Sequence, residues 1–119
     1  NSPLRSLFLQ TLVYFSSSIQ TAFQQDYHPY RFADKIEDEV GAQRRGQKRL
    51  METLRIIDDQ IGDNKWILGE CFSAADIYLY MLTTWLKPSR EHPELSNFPN
   101  VQRIAKRTGV RPSIKLVYG

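Results

Sequence analysis

Apolar residues return at steps of three and four along two long stretches of this chain, and no segment alternates convincingly with period two. In residues 3–25 the positions are Leu4, Phe8, Leu12, Phe15, Ile19, Ala22 and Phe23. In residues 34–61 they are Ile36, Val40, Leu50, Leu54, Ile57 and Ile61. Such spacing lays an apolar stripe along one face of an α-helix, whereas a half-buried strand needs strict alternation. Each stripe must be buried against another layer, and without strands that layer is more helix.

Helix punctuation divides the rest of the chain. Ser2 is the expected N-cap and Pro3 the first helical residue of the first helix. His28 stands before Pro29 and is biased out of helical geometry, so DYHPYRF reads as a loop. A second helix over residues 34–61 opens on Asp34, Glu37, Asp38 and Glu39 and carries Arg44, Arg45, Lys48 and Arg49 in its middle. This order suits the helix dipole, and the charges read as a solvated face. Gln43 and Gln47 interrupt the stripe and face an interdomain cleft, a subunit interface or the rim of the core. DNKWILGE then reads as a turn anchored by Trp66, Ile67 and Leu68, and Pro88 closes a third helix. Residues 88–98 read as a polar loop. Pro99 opens a fourth helix that ends at Gly109, and Pro112 begins a last turn. The fold class is all-α, a helical bundle with a buried central helix.

The third helix, within CFSAADIYLYMLTTWLK, is apolar nearly all round yet opens on Ser73 and Asp76. Their spacing is that of a capping box: the serine hydroxyl accepts the backbone N–H of Asp76, and the carboxylate accepts the N–H of Ser73. Phe72 before the cap and Ile77 after it supply a hydrophobic staple. Ser73 and Asp76 are therefore read as a structural cap.

Length and charge exclude more than they assign. A chain of 119 residues with 41% hydrophobic residues fits one domain with a real core. The net charge of +3 argues for solubility more than for a partner. Arg103, Lys106, Arg107, Arg111 and Lys115 form an acid-free basic end, but Tyr118 alone could stack on a base, so nucleic acid is not an expected partner. The single Cys71 excludes an internal disulfide and is read as structural. His28 and His92 lack a second ligand at metal spacing, so no metal is expected. The run LFLQTLVYF is broken by Gln10 and Thr11, which reads as a core helix and not as a membrane span or a secretory signal. The chain opens on Asn1 and not on Met, so a piece of a longer protein is the expectation.

WILGECFSAADIYLY, followed by FPNVQRIAKRTGVRPSIK, resembles the C-terminal helical domain of the cytosolic glutathione S-transferases. The family signature there is an apolar residue and Gly, then Phe-Ser-x-Ala-Asp entering the central helix. The resemblance covers nearly all of residues 1–119 and is specific over 66–86 and 98–114. It implies a cytoplasmic homodimer in which glutathione is held mainly by an N-terminal thioredoxin-like domain, whose βαβ pattern does not occur in this sequence. The helical domain would supply the wall of the pocket for a small apolar electrophile, together with dimer contacts made by the first two helices. The resemblance assigns Tyr14, Gln20, Thr21 and Trp85 to that pocket and no catalytic residue to this chain, so the isolated chain is expected to be inactive. Gln20 and Thr21 stand where bacterial relatives carry a His and a Lys near the thiol. Trp85 either flanks the cleft or is a core Trp. The alternative is a non-catalytic protein–protein interaction module, such as those attached to translation elongation subunits and aminoacyl-tRNA synthetases.

Overall fold

The computed structural model describes residues 3–118, the side chain of Tyr118 excepted. Ser2, the expected first cap, lies outside the described residues. Helix α1 (Pro3–Tyr14), a π-helical turn (Phe15–Ile19) and α2 (Gln20–Tyr27) run end to end. In the π turn the Gln20 amide reaches back five residues to the Phe15 carbonyl. From within it, the Ser17 and Ser16 hydroxyls donate to the Val13 carbonyl at 2.7 and 3.2 Å. The serines thereby satisfy backbone that a widened turn loosens.

The apolar stripe is not buried along its whole length. Phe15, Ile19, Ala22 and Phe23 are buried, Phe8 and Leu12 are half-buried, and Leu4 is exposed. The one buried residue of α1 is Thr11, whose hydroxyl is turned back to the Leu7 carbonyl. The physical reason is packing: α2 lies along the next long helix, whereas α1 makes much sparser contact with the bundle. The expected DYHPYRF loop is shorter than the sequence suggested. Asp26 and Tyr27 are still helical, His28 breaks the helix at φ −133°, and Pro29–Phe32 forms a 3-10 turn.

The second long element is a 3-10 turn (Ile36–Asp38) leading into α3 (Glu39–Ile61). Ile36 and Val40, both assigned to the stripe, are exposed. The buried face instead runs Ala42, Gly46, Leu50, Leu54, Ile57 and Ile61. Small residues lead it because α2 and α3 come very close there. A Cβ on Gly46 would lie 2.9 Å from the Asp26 amide nitrogen and 3.0 Å from the Gln25 Cβ.

Beyond Gly62, Trp66 and Gly69 exchange backbone hydrogen bonds at 2.8 and 3.0 Å. The tight turn puts Trp66 and Ile67 in the core. Helix α4 (Ala74–Thr83) sits centrally, with Ala75, Asp76, Leu79 and Leu82 buried and Ile77, Tyr78, Tyr80 and Met81 half-buried. It stops well before Pro88, since the Thr83 and Thr84 hydroxyls bond back to the Tyr80 and Met81 carbonyls at 2.6 Å. Residues 88–98 are less of a loop than expected: two 3-10 turns, Pro88–Arg90 and Leu95–Asn97, flank a buried His92 and Pro93.

Helices α5 (Pro99–Gly109) and α6 (Pro112–Tyr118) close the bundle. The N-terminus of α5 is capped across space: Asp58 of α3 accepts the Asn100 and Val101 amides at 2.8 and 2.9 Å. The core collects Phe15, Ile19 and Phe23 from the first helices, Leu50 and Leu54 from α3, Leu79 and Leu82 from α4, and Val101 and Ile104 from α5. Among the described residues the regular structure is helical, the Trp66–Gly69 bridge apart.

Candidate functional site

At the entrance to α4, Ser73 Oγ accepts the Ala75 N–H at 3.2 Å and completes a capping box with Asp76, whose Oδ2 accepts the Ser73 N–H at 2.9 Å. The other oxygen, Oδ1, accepts the N–H of Ile67 at 3.0 Å and ties the Trp66 turn to the helix. Burial raises the Asp76 carboxyl above its ordinary value, and the backbone donors offset part of that rise. Phe72 packs edge-on against Trp66 at 4.9 Å, with the Arg111 guanidinium 3.7 Å from its ring centre. Cys71, read from the sequence as structural, is an exposed free thiol.

At the opposite end of α4, a buried polar cluster holds the chain that follows it. The Asp26 side chain is fully buried at the end of α2. Its Oδ2 lies 2.5 Å from His92 Nε2 and 3.2 Å from Arg90 Nε, and its Oδ1 accepts from Gln47 Nε2 at 3.0 Å. His92 Nδ1 accepts the Lys87 backbone N–H at 2.8 Å, so Nε2 carries the hydrogen and donates it to the carboxylate. Burial pushes the Asp26 carboxyl up, but the hydrogen bonds from His92, Gln47 and Arg90 outweigh it and hold the group below its ordinary value. Gln43 Nε2 donates to the Asp26 carbonyl at 3.3 Å, and Gln47 also donates to the Arg90 carbonyl at 3.0 Å. The two glutamines on the stripe are thus partners of this cluster at the rim of the core. Residues 87–92 are pinned to α2 and α3 by groups up to 66 positions away in sequence.

Next to the cluster opens a cleft of about 490 Å³, lined by Phe23, Gln24, Tyr27, His28 and Arg31 on one side and Thr84, Trp85 and Lys87 on the other. Trp85 stands edge-on to Phe23 at 5.5 Å, and its carbonyl accepts the Tyr27 hydroxyl at 2.6 Å. Arg90 covers a face of Tyr27 at 4.3 Å, which fixes that ring as a wall.

Of the four pocket candidates read from the sequence, Trp85 lines this cleft and the others do not. Tyr14 turns towards α3, donates to the Thr53 carbonyl at 2.8 Å and has its hydroxyl pKa raised by burial. Gln20 accepts the hydroxyl of Tyr78, which couples α2 to α4. The Thr21 hydroxyl faces its own helix, 3.4 Å from the Ser16 carbonyl. Sequence reading missed Tyr27, Arg31 and Lys87: Tyr27 and Arg31 were absorbed into a loop and Lys87 into the helix end. Phe23, read as part of the core stripe, is buried there and backs the cleft.

An all-helical bundle built around a central helix entered through a capping box is the class of protein that the fold defines. The model of the glutathione S-transferase C-terminal domain matches residues 40–107, and the chain belongs to that family. The crystal structure of a glutathione transferase homologue from Sulfitobacter, with bound glutathione, matches with a TM-score of 0.86 at 19% identity. The match covers 98% of this chain and 56% of that one, so the chain spans little more than half of its solved relative. No curated protein sequence matches the chain. At that identity the structural likeness concerns the fold. No described helix is long and apolar enough to cross a membrane.

Proposed function

We propose that these residues are the helical half of a glutathione transferase-like protein, and that the cleft between α2 and the end of α4 forms part of the wall for its second substrate. The observation that carries this reading is the cleft itself: about 490 Å³, with Phe23, Tyr27 and Trp85 among its walls, at the junction of the first long helix and the central helix. Its volume suits a one- or two-ring body. In this reading glutathione, which the Sulfitobacter homologue holds in its crystal structure, is bound mainly by a thioredoxin-like domain outside these residues. The exposed Leu7, Leu9 and Val13 of α1, with Met51 and Ile56 of α3, give apolar area for contact with that domain or with a second protomer in a cytoplasmic dimer.

The basic C-terminal end, which would favour the interaction-module alternative, is largely occupied within the bundle. Arg103 donates to the Gly62 and Asn64 carbonyls at 2.8 Å, Arg107 donates to the Lys65 carbonyl, and Arg111 sits on Phe72.

The test is steady-state kinetics on the natural polypeptide that contains these residues, with glutathione and a neutral aromatic electrophile. Trp85→Ala is expected to raise KM for the electrophile about tenfold and leave KM for glutathione within about twofold. An unchanged electrophile KM removes the cleft from the substrate site. Absence of any glutathione-dependent turnover in the unsubstituted protein selects the non-catalytic module.

A further inference from the structure

We infer that the cleft prefers an aromatic ligand that carries an anionic group, such as an aryl carboxylate or sulfonate. The inference rests on the reading of the cleft as a substrate wall and adds a charge requirement to it.

Two features of the lining lead to it. The walls supply ring surface from Tyr27 and Trp85, with Phe23 behind them, which suits a flat apolar body. The charged residues of the lining are Arg31 and Lys87, both exposed, and no carboxylate is among the residues that line the cleft. The nearest buried acid, Asp26, is matched by Arg90 at 3.2 Å and hydrogen-bonded to His92 and Gln47, so it does not cancel the rim. The Lys87 backbone is fixed by its hydrogen bond to His92 Nδ1, which roots that cation at the edge of the opening. Cations at the rim of a low-dielectric concavity focus a positive potential into it and favour an anion over a neutral molecule of the same shape. A ligand with rings on Tyr27 and Trp85 and an anionic group at the mouth uses both halves of the site. A purely apolar electrophile leaves the cationic rim unused.

Calorimetric titration of this chain with 2-naphthoate and with 2-naphthamide tests the charge requirement, because the two differ in charge and little in shape. The carboxylate is expected to bind about tenfold more tightly than the amide. Lys87→Ala and Arg31→Ala should each weaken it by about two- to fivefold, the usual worth of one exposed charge, and narrow its advantage over the amide. Rising salt should erode the preference. Both residues are exposed, and circular dichroism checks that the variants retain their helices. Equal binding of the two ligands, insensitive to both substitutions, overturns the charge inference and leaves the cleft reading intact. If neither ligand binds, or if Trp85→Ala changes neither, the cleft reading falls and this inference falls with it.

Discussion

Asp26 is the residue on which one end of the molecule turns. Its carboxylate serves His92, Arg90 and Gln47 together, so its removal strands a buried imidazole and a half-buried guanidinium. Breaking a buried pair from one side is costly because the remaining partner stays desolvated. Asp26→Ala is therefore expected to lower the unfolding free energy by about 3 kcal/mol at neutral pH, measured by urea denaturation. The folded carboxyl is held below its ordinary value, so its contribution is present above the unfolded value near about 4 and is lost as pH falls through the lower folded value. The gap between the parent chain and Asp26→Ala should narrow as pH falls below about 5. A gap that stays constant would remove the charged pair as its cause. Asp76 has the opposite sign: burial raises its carboxyl, so the contribution tied to that shift is present at low pH and declines as pH rises through the folded value. The Ser73–Asp76 box could be read from spacing alone, because a capping box is a local device. The Asp26–His92 contact could not, since 66 positions separate the pair and each residue gives a weak signal by itself.

Between elements, the closest approach is that of α2 and α3 at Gly46. Exchange of a mid-helix Gly for Ala ordinarily favours a helix by about 1 kcal/mol. At Gly46 the new methyl would meet backbone at 2.9 Å, where no side chain can swing aside. Overpacking should outweigh the propensity gain, and Gly46→Ala is expected to destabilise the chain by about 1–3 kcal/mol in thermal unfolding. An unchanged or raised Tm would show that the two helices can separate at little cost. The order of the long helices was legible because stripes at steps of three and four, with Pro at helix starts, are local signals. The rest was not, because it depends on neighbours. The face of α3 is led by Ala42 and Gly46 and not by Ile36 and Val40, since what is buried depends on where α2 lies. The cap of α5 comes from Asp58, more than 40 positions away, and no pattern in FPNVQ announces it. The π turn at Phe15–Ile19 leaves no clear mark beyond three consecutive serines.

At the scale of the whole molecule, the described core is continuous from α2 through α3 and α4 to α5, and the bundle is expected to fold without a second domain. Chemistry is a separate matter. In the reading proposed above, the tripeptide would be recognised, and its thiol activated, by a thioredoxin-like domain outside these residues. The positions nearest the thiol by that resemblance are engaged internally: Gln20 receives the Tyr78 hydroxyl, and Thr21 faces the Ser16 carbonyl. The cleft that remains is walled by rings and suits a flat aromatic body better than a flexible peptide. This 119-residue chain is accordingly expected to give a cooperative thermal transition, yet no saturable heat when titrated with glutathione at millimolar concentration. Saturable binding in that range would place the tripeptide on the helical half and overturn the division of labour proposed above. Its absence, together with naphthoate binding to the same sample, would separate the two substrates onto two domains.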